Sequence, residues 1–410
     1  MNITFNIAKR IAFNGEKSFS RFIIRLSIAA TAVSVMAMII TLSFVNGFQK
    51  TVSQKVFSFW GHIRVQHFET DKALVAEESA ISKNDTVENI LAHQPSVHHF
   101  NTFATKSAVL EHKKEIEGIL LKGVDAGYHV ASLQRFIQKG RWIRFDDSLY
   151  AKEILISEPI ANELQIKVND TIKIYFISPT EGKSSYRKLL VAGIYKTGIE
   201  EYDKLFAIGD IRLIQRINDW QPNEIGGYEI FLDDYKLTDT ITSSINDQLP
   251  NVWLAKSIKD VYPNIFDWLN IQDINRNVIF IIMSIVAIIN LITCLLILVL
   301  ERTRMVGILK ATGATNWQIQ SIFLYYAGFI TLTGVGLGLA GGLGICWLQQ
   351  LTGFITLDES NYYVHIAPVE IIGWQIALVC IATAVVCFIS LIIPSIVVKR
   401  IQPVKAVQFR

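Results

Sequence analysis

The sequence predicts a membrane α-helical protein with four transmembrane helices and a large α/β domain outside the membrane, inserted between helices 1 and 2. Three observations lead there. Of 410 residues, 51% are hydrophobic and 18% charged, against about 25% charged in soluble proteins. The apolar excess is concentrated in four runs, each able to supply the roughly 20 residues that a bilayer requires. Residues 49–276, between the first run and the second, have mixed composition and enough length for a core of their own.

The four runs fall at 26–48, 277–300, 318–348 and 371–398, and none carries a charge. A backbone crossing lipid satisfies its polar groups only as a helix or a closed barrel, so all four are read as helices. The short flanks set the orientation. Residues 1–25 carry a net charge of +4, 301–310 carry +2 and 399–410 carry +4. Residues 349–370 carry −3, which leaves −4 for 49–276. Positive and negative flanks alternate in step with the spans. Both termini and the segment 301–317 therefore face the cytoplasm, and 49–276 and 349–370 face outward.

Within 1–25, Ile3, Ile7 and Ile11 recur every four residues with Lys9 and Arg10 between them. That pattern fits an interfacial helix on the cytoplasmic surface. The apolar run continues well past Ala30-Thr31-Ala32, which argues for an uncleaved first span over a removed signal.

In the outside domain, strands are expected at 62–68, 119–124, 172–177, 188–195 and 229–232. Helices are expected at 87–93, 131–138, 160–164, 211–217 and 235–249. The length leaves room for two subdomains. The first span is expected to run on as helix through 49–59, and 263–277 to lead unbroken into the second, as two stalks. Between Tyr175-Phe176-Ile177 and Leu189-Leu190-Val191 lies the polar segment 178–187, holding Pro179 and Gly182. It reads as a protruding hairpin, either a partner-catching arm or an ordinary variable loop. Cys294, Cys346, Cys380 and Cys387 all fall in the apolar runs, so the outside domain has no disulfide framework.

The segment 301–317 draws most attention. Met305, Ile308, Leu309 and Thr312 fall at i, i+3, i+4 and i+7, one stripe of a helix, with Arg302, Arg304 and Lys310 off it. Gly313 can take a positive φ and stop that helix, and Thr315 or Asn316 can cap the next. The result is a short cationic amphipathic helix across a membrane mouth, or else a plain solvated loop.

Other motifs dissolve on inspection. Gly336-x-Gly338-x-x-Gly341 lies in a charge-free run, where a dinucleotide loop has no place. Gly334, Gly338 and Gly342 at four-residue spacing suit close helix packing instead. Gly182-Lys183-Ser184 lacks the earlier glycine of a phosphate loop, since Ile177 stands there. His93, His98, His99 and His112 lack ligand spacing with carboxylates. Asp146-Asp147 and Asp233-Asp234 read as turn residues.

Several stretches together carry a family resemblance. Asn46-Gly47-Phe48-Gln49, Asn275-Arg276-Asn277-Val278 and Glu301-Arg302 followed by Gly307-Ile308-Leu309-Lys310-Ala311 and Gly313-Ala314 are three of them. Leu357-Asp358-Glu359-Ser360 with Tyr362-Tyr363-Val364 and Pro368, and the ending Pro403-Val404-Lys405-Ala406, complete the set. Over nearly its whole length the chain resembles the lipoprotein-releasing ABC transporter permeases of the LolC/LolE type, within the MacB/FtsX permease superfamily.

The resemblance implies a non-catalytic permease of the bacterial inner membrane. Two permease chains, copies or sisters, would sit on a separate ABC ATPase that binds ATP and Mg, so this chain needs no cofactor, and no nucleic acid is involved. It implies ATPase coupling at Arg302, Arg304, Met305, Gly307, Ile308, Leu309, Lys310 and Gly313, with Met305-Val306 standing where the family has an acidic residue and Ile. A hook of Pro179, Glu181, Gly182, Lys183, Tyr186 and Arg187 would hold a LolA-like periplasmic carrier. Met36, Ile40 and Phe44, apolar and on roughly one face of the first span, would line a cavity for lipoprotein substrates and membrane lipids, or else simply face lipid or pack between helices. The alternatives are an FtsX-like mechanotransmission regulator of a cell-wall hydrolase and a MacB-like efflux exporter.

Overall fold

The computed structural model describes residues 19–69, 77–113, 115–146, 149–177 and 184–390. The expected interfacial helix in 1–18 and the tail 399–410 lie outside them, as do 391–398 of the expected fourth span. In chain order, α1 is Phe19–Trp60, β1 Ile63–His67, β2 Ile81–Ser82, α2 Asp85–His93, β3 Val97–His112 and β4 Glu115–Val124. Then come α3 Ala131–Gln134, β5 Ile137–Gly140, β6 Glu153–Ser157, α4 Glu158–Glu163, β7 Thr171–Ile177 and β8 Ser184–Tyr195. Next are α5 Glu200–Asp203, β9 Phe206–Asp210, α6 Ile211–Ile217, β10 Glu224–Ile225, β11 Gly227–Leu232, α7 Thr238–Asn246 and β12 Trp253–Ser257. The C-terminal part holds α8 Ile258–Val261, α9 Pro263–Glu301, α10 Thr303–Ala311, α11 Asn316–Thr352, α12 Glu359–Tyr362 and α13 Gly373–Ser390. The chain divides into a helical unit (1–50, 269–356, 366–410) and an α/β unit (51–268, 357–365).

In the helical unit, three described helices are long and apolar enough to cross a membrane: Phe22–Trp60, Pro263–Glu301 and Asn316–Thr352. The described part of the expected fourth is a shorter apolar helix, Gly373–Ile389. Val35, Met38, Ile39 and Leu42 of α1 pack with Val335 of α11 and Ile376 and Val379 of α13, and Phe280 and Met283 of α9 join from the side. The glycine stripe on α11 is what lets α1 approach. A Cβ on Gly338 would lie 2.6 Å from the Ala32 carbonyl oxygen, and one on Gly334 2.8 Å from the Thr31 Cβ. Gly336, on the other side of α11, has open space around it. The four cysteines are free and sit on these helices.

The α/β unit is built on one connected sheet in the order β12-β1-β11-β3-β4-β9-β6-β8-β5, with β7 pairing both β3 and β8. A small two-stranded sheet of β10 with β2 accompanies it, and among the described residues no second large sheet stands where two subdomains were conceivable. Because β7 bridges β3 and β8, the strands β3, β4, β9, β6, β8 and β7 close into a ring. Ring closure removes most free edges. Ile172, Ile174 and Phe176 alternate inward with Lys173 and Tyr175 between them, the period-2 signature of a half-buried strand.

Two expected elements are corrected. The helix expected over 131–138 stops at Gln134, and Ile137–Gly140 becomes strand β5, paired with β8. The helix expected over 235–249 is a 3-10 turn, Tyr235–Leu237, followed by Thr238–Asn246.

The foot of α1 ends inside this unit. Gly61 stops the helix at φ +70°, its N–H donating to Phe57 O at 2.8 Å. Phe59 stacks on Tyr202 at 5.0 Å between ring centres, and Trp60 meets Phe206 edge-on at 5.0 Å. The Lys122 ammonium sits 4.3 Å from the Trp60 ring centre, donates to Phe59 O and pairs with Glu229 at 2.7 Å, both side chains wholly buried. Tyr128 donates to the second Glu229 oxygen at 3.0 Å, so this charge pair is hydrogen-bonded as burial requires. Phe266, near the start of α9, stacks on Phe57 at 5.7 Å.

Candidate functional site

α10 is the first candidate, and local chemistry fixes both of its ends. Thr303 Oγ donates to Leu300 O at 2.6 Å as α9 gives way to α10. At the other end the Gly313 N–H donates to Lys310 O at 3.1 Å and the Ala314 N–H to Leu309 O at 2.9 Å, with Gly313 at φ +94°. That is a Schellman motif, and nothing crowds the Gly313 Cβ position, so the glycine is there for its φ and not for space. Thr315 then caps α11 in a reciprocal capping box with Gln318.

The buried stripe of α10 is rotated by one residue from the expected one. Val306 is fully buried, against Ile319, Phe323 and Tyr326 of α11 among others, with Met305 and Leu309 half-buried beside it. Ile308 and Thr312, expected on the stripe, are exposed. The outward face therefore presents Arg304, Ile308 and Thr312, with Lys310 half-buried at its side. Gly307, the other buried residue of α10, keeps the helix free of a side chain where it packs.

The second candidate is the segment between α11 and α13. In the helical unit, Asn46 Nδ2 donates to Gln375 Oε1 at 2.6 Å, and the Glu370 N–H donates to Ser43 O at 2.9 Å. A Cβ on Gly47 would overlap the Pro368 carbonyl. The Asn46-Gly47 pair thus gains a physical reason: an amide to grip and a bare backbone to let Pro368 pass.

A family model described as MacB-like periplasmic core domain matches residues 26–245, and one described as FtsX-like permease C-terminal matches 277–403. The chain belongs to the MacB-like permeases. Over nearly its whole length it is similar to proteins named LolE and LolC. The lipoprotein-releasing system transmembrane protein LolE of Haemophilus influenzae is 25% identical, over 98% of this chain and 98% of its own length. LolC of Neisseria meningitidis serogroup B is 22% identical over 96% of each chain, and LolC of Haemophilus influenzae 24% identical over 95% of this chain and 94% of its own.

The residues expected to form a hook in this MacB-like permease divide. Pro179, Glu181, Gly182 and Lys183 lie outside the described residues. The strands around them run further than expected, since β8 begins at Ser184 and pairs Ile177 with Ser184. Tyr186 and Arg187 accordingly stand in the strand, opposite Tyr175 and Ile174, and not in a loop. Tyr186 is half exposed with its ring 5.7 Å from Tyr175, and beside them Lys173 pairs with Glu111 at 2.9 Å.

Ile40 and Phe44 continue the partly open face of α1 in the helical unit. Met36 turns toward the glycine face of α11, since a Cβ on Gly341 would lie 3.1 Å from its Sδ, so it packs between helices. Ile271, Ile274, Val278, Ile281, Ile285 and Ile289 expose an apolar stripe along α9.

The histidines do not make a metal centre among the described residues. His99 stacks on Phe231 at 4.4 Å and lies 4.4 Å from the His129 ring, while His98 pairs with Asp233 at 3.3 Å. His62 Nδ1 accepts from the Leu232 N–H at 3.0 Å, and its ring stacks on Phe57 at 4.2 Å. Burial, then the neighbouring His99, holds its imidazole down to about 4. Sequence reading passed over the Lys122–Glu229 pair, because a lone lysine and a lone glutamate in separate strands give no spacing signal.

Proposed function

We propose that this chain is the permease subunit of an ABC transporter that extracts lipoproteins from the outer leaflet of the inner membrane and passes them to a periplasmic carrier. The supporting observation is similarity from end to end to LolE and LolC proteins, covering both the α/β unit and the α10 segment. The chain itself is non-catalytic, and a separate ATPase subunit hydrolyses ATP. A second permease, a copy or a sister, completes the complex.

The chain spans the membrane four times with both termini cytoplasmic, and the α/β unit is periplasmic. The ATPase docks on α10 through Arg304, Ile308 and Lys310. Met305, where the family carries an acid, packs against the helical core instead of bearing an outward charge. ATP-driven closure pushes α10, and α1 and α9, which continue as helix beyond their apolar runs, carry the motion outward. The lipoprotein enters a cavity lined by Ile40, Phe44 and α9. Each methylene moved from lipid into water costs about 0.8 kcal/mol, so freeing several acyl chains costs on the order of tens of kcal/mol. The cavity offsets most of that, and the carrier, held at residues 179–187, receives the product.

The test is reconstitution in liposomes with the ATPase, carrier and a fluorescent lipoprotein. ATP-dependent transfer of the lipoprotein to the carrier is expected. Robust ATPase activity with no transfer would reject this reading in favour of a regulator that transports nothing.

A further inference from the structure

The segment between α11 and α13 is hydrogen-bonded between its two arms and to the end of α11. At the end of α11 the buried Gln349 amide accepts from the Ile355 N–H at 2.9 Å and donates to Ile355 O at 3.2 Å and Ala367 O at 3.0 Å. Ala367 N–H donates to Ile355 O at 3.1 Å, and Thr356 bridges Ile366 antiparallel. Leu357 N–H donates to His365 O at 2.8 Å. The two arms of the segment therefore form a narrow ladder, anchored at its root by Lys50–Glu370 at 2.6 Å and by Asn46–Gln375.

Its tip, residues 357–365, belongs to the α/β unit. There Glu359 lies between two cations, 2.8 Å from Lys196 and 3.9 Å from Lys55. Lys55 Nζ also donates to Tyr363 O at 2.7 Å, and the Tyr363 hydroxyl donates to Glu201 at 3.2 Å. Trp268 meets the rings of Tyr363 and Tyr362 at 5.7 and 6.4 Å, and Val364 is buried. Gly198, at φ +75°, leaves the space: a Cβ there would fall on the Glu359 carboxylate and the Lys55 ammonium. Lys196 also pairs with Glu158 at 3.2 Å, so it is the largely buried Lys55 ammonium that needs the Glu359 charge.

We propose that this segment is a third force-bearing tether beside α1 and α9, closed by the Lys55–Glu359–Lys196 clamp, with Glu359 as the positioning residue that couples the stroke of α11 and α13 to the α/β unit. The proposal rests on the transport reading above. A narrow hydrogen-bonded ladder transmits displacement where a slack loop of the same length absorbs it, and α1 is gripped by one segment at both Ser43–Lys50 and Lys55.

The test uses the complete permease–ATPase complex in liposomes and reads lipoprotein transferred per ATP hydrolysed. Glu359→Gln keeps the shape and removes the charge. The ratio is expected to fall on the order of fivefold or more while ATPase activity stays within about twofold of wild type. Glu359→Lys combined with Lys55→Glu and Lys196→Glu restores opposite charges and is expected to regain the ratio. An unchanged ratio in Glu359→Gln, or transfer and ATPase falling in step, overturns the proposal. Hydrogen exchange at residues 357–365 is read on the same samples and needs no lipoprotein. Protection that persists in wild type with ATP and drops in Glu359→Gln supports the tether, and loss of protection in wild type on adding ATP overturns it. Wild-type transfer in the same liposomes separately decides the transport reading.

Discussion

His62 carries a pH dependence whose sign follows from its burial. Folded, its imidazole is held at about 4; unfolded, it returns to its ordinary 6.5. Between those values the unfolded chain binds the proton and the folded chain does not, so acid favours unfolding. Stability is whole above about pH 6.5 and falls as pH drops toward about 4, by roughly 3 kcal/mol for this group. His99, also held at about 4 by burial and then by His129 and His98, acts in the same direction but is more exposed, so its share is smaller. Thermal melts of the purified chain at stepped pH are expected to show a slope over this window that His62→Gln flattens; an unchanged slope would remove His62 from the account. Neither residue was legible as a titrating group, because burial under Phe57 and Phe231 arises only after distant segments meet.

The glycine stripe of α11 argues at the level of the helix. Gly338→Ala places a methyl 2.6 Å from Ala32 O and 2.8 Å from the Val35 Cβ, so α1 and α11 must separate. Gly336→Ala meets nothing and also improves helix propensity, by about 1 kcal/mol. Melting of the solubilised chain is therefore expected to drop for Gly338→Ala and to hold or rise for Gly336→Ala. Equal behaviour would show that the close approach does not matter. This stripe was visible in sequence because one helix supplies all of it, as were the alternation over Ile172–Ile177 and the Gly313 stop. Strand β3 was missed for the opposite reason. It pairs with β11 over 97–103, β4 over 103–112 and β7 over 109–111. With neighbours changing along its length, Val-His-His-Phe-Asn-Thr-Phe-Ala-Thr-Lys shows no simple alternation. The α10 stripe was one residue out because Val306 looks no more apolar than Ile308; the packing partners on α11 make the choice.

For the molecule as a whole, orientation is open to direct measurement. In a background lacking Cys294, Cys346, Cys380 and Cys387, a cysteine replacing Tyr186 is expected to react with an impermeant maleimide in intact spheroplasts. One replacing Ile308 is expected to react only after permeabilisation; the reverse pattern would invert the topology. Charge alternation across the apolar runs is the pattern this expectation rests on, and it needs no fold, whereas the ring of strands and the Glu359 clamp depend on pairings between remote segments that no local pattern reports. The sheet order has one more consequence, for biogenesis. Strand β1 follows directly on α1, yet it is flanked by β11 and β12, with Ile63 opposite Ile230 and Ser257. At about 5–20 residues per second of synthesis, those partners emerge roughly ten to forty seconds later. During that interval β1 stands without either of its strand partners, so this part of the sheet closes only after most of the α/β unit has been made.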